Sequence, residues 1–125
     1  MNFLRNVLRS GSAVFGLSAI ALIIAPGFFL SLLGLSDSAE LRWSMVMIGV
    51  TLVALTGMMA VVSTTASDAG VRVASVVMAL SAAGLGVATV FIPSSHTWFS
   101  VLYAVVGFSF SVAYVVGLLG LARAR

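Results

Sequence analysis

Apolar positions dominate this chain so heavily that its organisation is read from the interruptions. Charged residues divide it into uncharged stretches from Ser10 to Ser36, Trp43 to Ser67 and Val73 to Ala122, which are 27, 25 and 50 residues long. Roughly 20 apolar residues cross the hydrocarbon core as a helix, so the first two stretches hold one span each. The third holds two spans and a turn, written at Ile92-Pro93-Ser94-Ser95-His96. Pro93 lacks an N–H and restricts its predecessor, which ends the helix before it, and Ser94 or Ser95 is placed to cap the next. The pattern predicts an all-α membrane protein, a single integral domain over 1–125 with four transmembrane helices near 6–25, 40–62, 70–92 and 96–120. Short connections make successive helices antiparallel neighbours in an up-down bundle.

Local signals fix the helix ends. Asp37-Ser38-Ala39-Glu40 has the spacing of a capping box and places carboxylates at the positive end of a helix dipole, so the second span begins near Ser38. Ser67-Asp68 starts the third span in the same way, after the polar linker Ser63-Thr64-Thr65-Ala66. The first span is broken near Pro26. Either a kinked helix runs through the proline, or the span stops near Ala25 and 27–35 forms a short segment in the membrane interface. Pro-Gly stops helices more often than it bends them, which favours the second geometry. Arg5 and Arg9 ahead of an apolar run also match a signal-peptide pattern with a cleavage point after Ser38. The segment is read here as a retained span.

Composition adds the solvent. Of 125 residues, 62% are hydrophobic and 7% charged, against about 25% charged in soluble domains. The bilayer is therefore the chain's solvent. The net charge of +3 comes from six arginines scattered over segment ends, without the clustered basic face that nucleic-acid binding requires. No cysteine is present, which excludes disulfides and thiolate metal sites. The arginine distribution sets orientation: Arg5, Arg9, Arg72, Arg123 and Arg125 fall on one side of a four-span chain and only Arg42 on the other. By the positive-inside rule both termini are cytoplasmic, in a bacterial cytoplasmic membrane suggested by the arginine-rich, lysine-free composition. Trp43 and Trp98 then open the second and fourth spans at the outer interface.

Candidate chemistry is sparse. No carboxylate pair, catalytic triad or phosphate-binding glycine loop is visible, and the charged residues lie near the ends of the spans and not in their middle, so the chain reads as non-catalytic, without cofactor or metal. His96 could ligate a haem or chlorophyll metal, although a lone histidine in a Ser-Ser-His-Thr turn is more simply interfacial. Thr56, Ser63, Ser75, Ser81 and Thr89 make at best a broken polar lane, since such hydroxyls satisfy themselves on the preceding turn. Tyr103, Phe110 and Tyr114, spaced seven and four, form one stripe with Gly107 among them. That stripe could line a groove for a lipid tail or quinone, and its phenols need partners if buried.

Small residues mark where helices meet, because lipid weakens the hydrophobic drive between them. Gly49 and Gly57 in the second span, Ser75, Ala79, Ala83 and Gly86 in the third, and Ala113 and Gly117 in the fourth are the expected packing positions. The third span should be the most enclosed. A 63-residue shift aligns Arg9 with Arg72 and Leu17-Ser18-Ala19 with Leu80-Ser81-Ala82, as a duplicated helix pair would.

Ala25-Pro26-Gly27-Phe28-Phe29-Leu30-Ser31-Leu32-Leu33-Gly34-Leu35, followed by Arg42 and Gly49, resembles the DoxX-like group of small four-helix bacterial membrane proteins. The resemblance covers about Ala25 to Gly57 and fades beyond. It implies a four-helix fold and, for some members, association with membrane redox enzymes. It supplies no catalytic residue. The expected role is an accessory or scaffold subunit of a larger inner-membrane complex, in contact with lipid and with other subunits or its own copies. The alternatives are a small homo-oligomeric transporter or channel, and a lipid- or quinone-binding protein.

Overall fold

A computed structural model describes residues 1–124 and contains five helices: α1 (Asn2–Ile24), α2 (Pro26–Leu33), α3 (Ala39–Thr65), α4 (Asp68–Val90) and α5 (Trp98–Arg123). Four of them, α1, α3, α4 and α5, are long and apolar enough to cross a membrane, as an integral membrane protein requires. At 1.5 Å per residue the shortest spans about 34 Å, enough for the hydrocarbon core.

The helix ends follow from their capping residues. Ala25 leaves helical geometry between α1 and α2, and Pro26 occupies the start of α2, where its missing N–H costs nothing. Gly34 ends α2 with φ 75°, a left-handed conformation that glycine adopts without a Cβ penalty. Ser38 caps α3, its side chain accepting from Leu41 N at 3.2 Å, while Asp37 turns to the Arg42 guanidinium instead of capping. Ser67 caps α4 through Gly70 N at 3.3 Å. Neither Ser94 nor Ser95 caps α5. Thr97 does, accepting from Ser100 N at 3.1 Å while its own N–H donates to Ser100 Oγ at 2.9 Å.

The helices pack chiefly as two pairs, α1 with α3 and α4 with α5. Within the first pair, low-numbered residues of α1 meet high-numbered residues of α3. Ser12 Oγ donates to Thr56 O at 3.0 Å, and Arg5 reaches Ser63 O at 3.1 Å. In the second pair Ser111 Oγ donates to Ala79 O at 2.9 Å. The pairs join across a core in which Leu4 and Leu8 of α1, Met59 of α3, Val71 and Met78 of α4 and Tyr114 of α5 come together.

The most enclosed span is α1, not α4. It faces α3, α5 and α4 in turn, whereas α4 presents Val73, Val77 and Leu80 outward. The interfacial segment expected at 27–35 is largely α2, which buries Phe29, Leu30 and Leu33 and exposes Phe28. Phe29 stacks edge-on to Phe99 at 5.3 Å and to Tyr103 at 6.0 Å, which anchors α2 to the start of α5.

Candidate functional site

The expected stripe on α5 is divided by its neighbours. Tyr103 belongs to the aromatic group with Phe29 and Phe99, and its hydroxyl donates to Ser18 Oγ of α1 at 3.3 Å. Phe110 and Tyr114 lie further along, their rings 6.5 Å apart, against α1 and the central core. All three residues nevertheless wall one partly open cavity between α1, α4 and α5, together with Gly11, Met78 and Ala82. Its volume is about 30 Å³ and its walls are almost wholly apolar. A cavity engineered to admit benzene is about 150 Å³, so this one excludes an aromatic or quinone ring in the packing seen here.

Tyr114 is the least exposed large side chain of the cavity wall, at 1%. Its hydroxyl has no hydrogen-bond partner, and the Oγ of fully buried Ser75 has none either. Thr56 Oγ1 is also unpartnered, although Thr56 O accepts from Ser12. Of the other hydroxyls of the expected lane, Ser63 bonds to Ala60 O at 2.8 Å and Thr89 to Leu85 O at 2.7 Å, while Ser81 is exposed on the outer face of α4. Those bonds close the helix surface and leave no continuous polar path through them.

The expected packing residues separate into three kinds. Gly49 is a true point of close approach, since a Cβ there would stand 2.8 Å from Ile23 Cγ1 and 3.2 Å from Ala19 O. Gly86 lies beneath the Phe108 ring, and Gly117 receives Leu4 and Phe3, with a Cβ position 2.6 Å from Leu4 Cδ2. Ser75 and Ala79 are buried, while Ala83 and Ala113 are half-buried. Gly57 is different: it is exposed, and nothing lies within 4 Å of its Cβ position. Gly84 and Gly120 share that openness.

Several contributors carried weaker signals in the sequence. Gly11 faces Tyr114 and Met59, and Gly107 meets the α4 backbone, its Cβ position 3.1 Å from Ala82 O. Ser12 and Gly16, four apart, both touch Thr56, a small-residue spacing that marks the α1–α3 contact. Thr97 Oγ1 donates to Leu32 O at 2.6 Å and Ser94 Oγ to Leu33 O at 3.3 Å, so the turn before α5 satisfies the last carbonyls of α2. His96 Nε2 lies 2.9 Å from Val90 O, near the end of α4. Among the described residues, no group of three or more His, Cys, Asp or Glu side chains comes together as a metal site.

Comparison with family models, with curated proteins and with solved structures finds no match.

Proposed function

We propose that this chain is a non-catalytic subunit of a larger membrane assembly, acting through lateral helix contacts as an accessory or scaffold element. The observation that carries this reading is the outward set of glycines: Gly57, Gly84 and Gly120, on three different spans, face open space. Glycine destabilises a helix interior by roughly 0.5–1 kcal/mol relative to alanine, and its use on a membrane-facing surface is repaid where another helix backbone approaches closely. The interior supports the same reading, because a cavity of about 30 Å³ leaves no room for a quinone or lipid tail without separation of the helix pairs.

In this proposal the four spans run alternately through a bacterial cytoplasmic membrane, with both termini on the cytoplasmic side. Arg5, Arg9, Arg72 and Arg123 then face the cytoplasm, and Trp43 and Trp98 lie at the opposite interface. The DoxX-like resemblance of residues 25–57 extends the reading to a partner class, a membrane redox enzyme.

Native mass spectrometry of the tagged protein, extracted gently from its own membranes, tests the proposal. Coextraction with larger subunits, reduced when Gly57→Leu or Gly84→Leu is introduced, is the expected result. A self-assembled species at a multiple of 12.9 kDa would replace the accessory role with the homo-oligomeric transporter. A lone monomer would overturn both.

A further inference from the structure

We propose that the groove on the outer side of the seam between α1 and α5 is a site for one anionic phospholipid, its phosphate paired with Arg123 and one acyl chain laid along α5. The site is separate from the role proposed above, which is tested at Gly57 and Gly84 on α3 and α4.

Two open clefts make the groove, and they meet at Phe3 and Val116, which line both. The first, about 270 Å³, passes over Gly117, Gly120 and Leu121 near the end of α5. The second, about 430 Å³, continues over Ala113 and Ser109 and reaches Phe108, whose ring is seated against Gly86 of α4. Ser109 is the one polar side chain on these walls. Phe3 and Leu4 occupy the space where a Cβ on Gly117 would stand, whereas nothing lies within 4 Å of that position on Gly120, so the groove stays open there.

The length of the groove selects a lipid tail over a helix. Gly120 stands about 14 Å along the axis from the midpoint of α5, and Phe108 lies near that midpoint. One leaflet occupies half of a hydrocarbon core about 30 Å thick, so the groove begins at the edge of the core and stops near its middle. A spanning helix of a partner would cross both leaflets and need a groove that continues beyond Phe108.

Charge at the open end selects the headgroup. Arg123 lies three residues beyond Gly120 and seven beyond Val116, which continues the same face of α5 one turn nearer the water. It is exposed, and among the described residues no carboxylate lies within ion-pair reach of it. Neither α1 nor α5 carries an acidic residue, Asp68 is held by Arg5, and Asp37 and Glu40 lie by the start of α3, at the other end of the bundle. A guanidinium grips a phosphate through two parallel N–H···O bonds, and basic positions beside a span attract anionic headgroups.

Native mass spectrometry of the purified full chain, given phosphatidylglycerol or phosphatidylcholine with matched tails, tests the site. The expected result is one phosphatidylglycerol retained per chain, in preference to phosphatidylcholine. Arg123→Gln should lower that retention about fivefold, the scale of one arginine at an anionic surface, and remove the preference. Gly120→Leu, which fills the groove at an open position, should lower retention of both lipids. Both substitutions fall on exposed residues, and circular dichroism verifies that the helices are kept. A phosphatidylglycerol with a diazirine near the end of its tail should label residues 108–112. Equal retention of the two lipids by the wild-type chain, retention unchanged in either variant, or labelling confined to other helices would overturn the proposal. So would a homodimer or a copurified protein that Gly120→Leu dissociates, since the groove would then hold a helix.

Discussion

Arg5 and Asp68 are 63 positions apart in the sequence and 3.0 Å apart in the fold. The same guanidinium donates to Ser63 O at 3.1 Å and Ala66 O at 2.9 Å, so one side chain joins the start of α1, the end of α3 and the start of α4. Its positive charge lies at the negative end of the α3 dipole, where carbonyls lack intrahelical donors. The arginine is 19% exposed and the aspartate 63%, which makes the carbonyl contacts the better protected part of the arrangement.

Arg5→Ala should therefore cost about 2 kcal/mol, the scale of hydrogen bonds from a charged donor. Asp68→Asn should cost less than about 1 kcal/mol, as solvent-screened pairs do. Equilibrium unfolding in mixed micelles checks the ordering; equal effects would mean that the ion pair dominates.

Gly49→Ala should destabilise by about 1–3 kcal/mol, since the added methyl meets Ile23, Leu22 and the Ala19 carbonyl. Gly57→Ala should leave the isolated protein as stable or raise it by about 0.5–1 kcal/mol, because the site is open and alanine favours the helix. Unfolding curves of the two variants, measured side by side, give the contrast.

Thr97→Val should cost about 1–2 kcal/mol by removing the α5 cap. It also leaves Leu32 O without its donor, while Thr97→Ser restores both bonds. Hydrogen exchange of the first turn of α5 distinguishes the two variants.

Hydrogen bonding from the Arg42 guanidinium holds the Asp37 carboxyl below its ordinary pKa of 3.8, with desolvation opposing it. A depressed carboxylate contributes stability that is complete above the unfolded value and is lost as pH falls through the folded one. Acidification below pH 3.8 should thus loosen the turn before α3, read by fluorescence of the adjacent Trp43, and Asp37→Asn should remove that dependence.

The chain contains no cysteine, so introduced thiols report topology without background. With both termini cytoplasmic, as proposed, Ser95→Cys should react with an impermeant maleimide in intact spheroplasts, and Ala69→Cys only after permeabilisation. The reverse pattern would invert the orientation.

What the sequence revealed was mostly local. Ser38 and Ser67 cap where hydroxyls precede apolar runs, and Pro26 and Gly34 bound α2 through their own backbone preferences. Long-range partners were not legible. Arg5 reads as a topological charge until residues 58 to 63 positions away are in place. Lateral facing was equally hidden, because a span that is apolar all round carries no contrast between lipid and protein. Gly49 and Gly57, eight residues apart, differ by about 80° around a helix, enough to place one against α1 and the other outside. The stripe of Tyr103, Phe110 and Tyr114 does share a cavity, yet Tyr103 also joins an aromatic group set by α2, which no periodicity within α5 encodes.

Pairing α1 with α3 and α4 with α5 has a consequence for biosynthesis. Each pair is a contiguous stretch of chain, so the ribosome delivers the first hairpin, with its Arg5 clasp on the α3 carbonyls, before α4 has emerged. The bonds from Thr97 and Ser94 to the end of α2 must wait for the turn that follows α4. The contacts of the folded chain thus fall into two groups, those within the first hairpin and those that need the second, and the turn before α5 belongs to the later group.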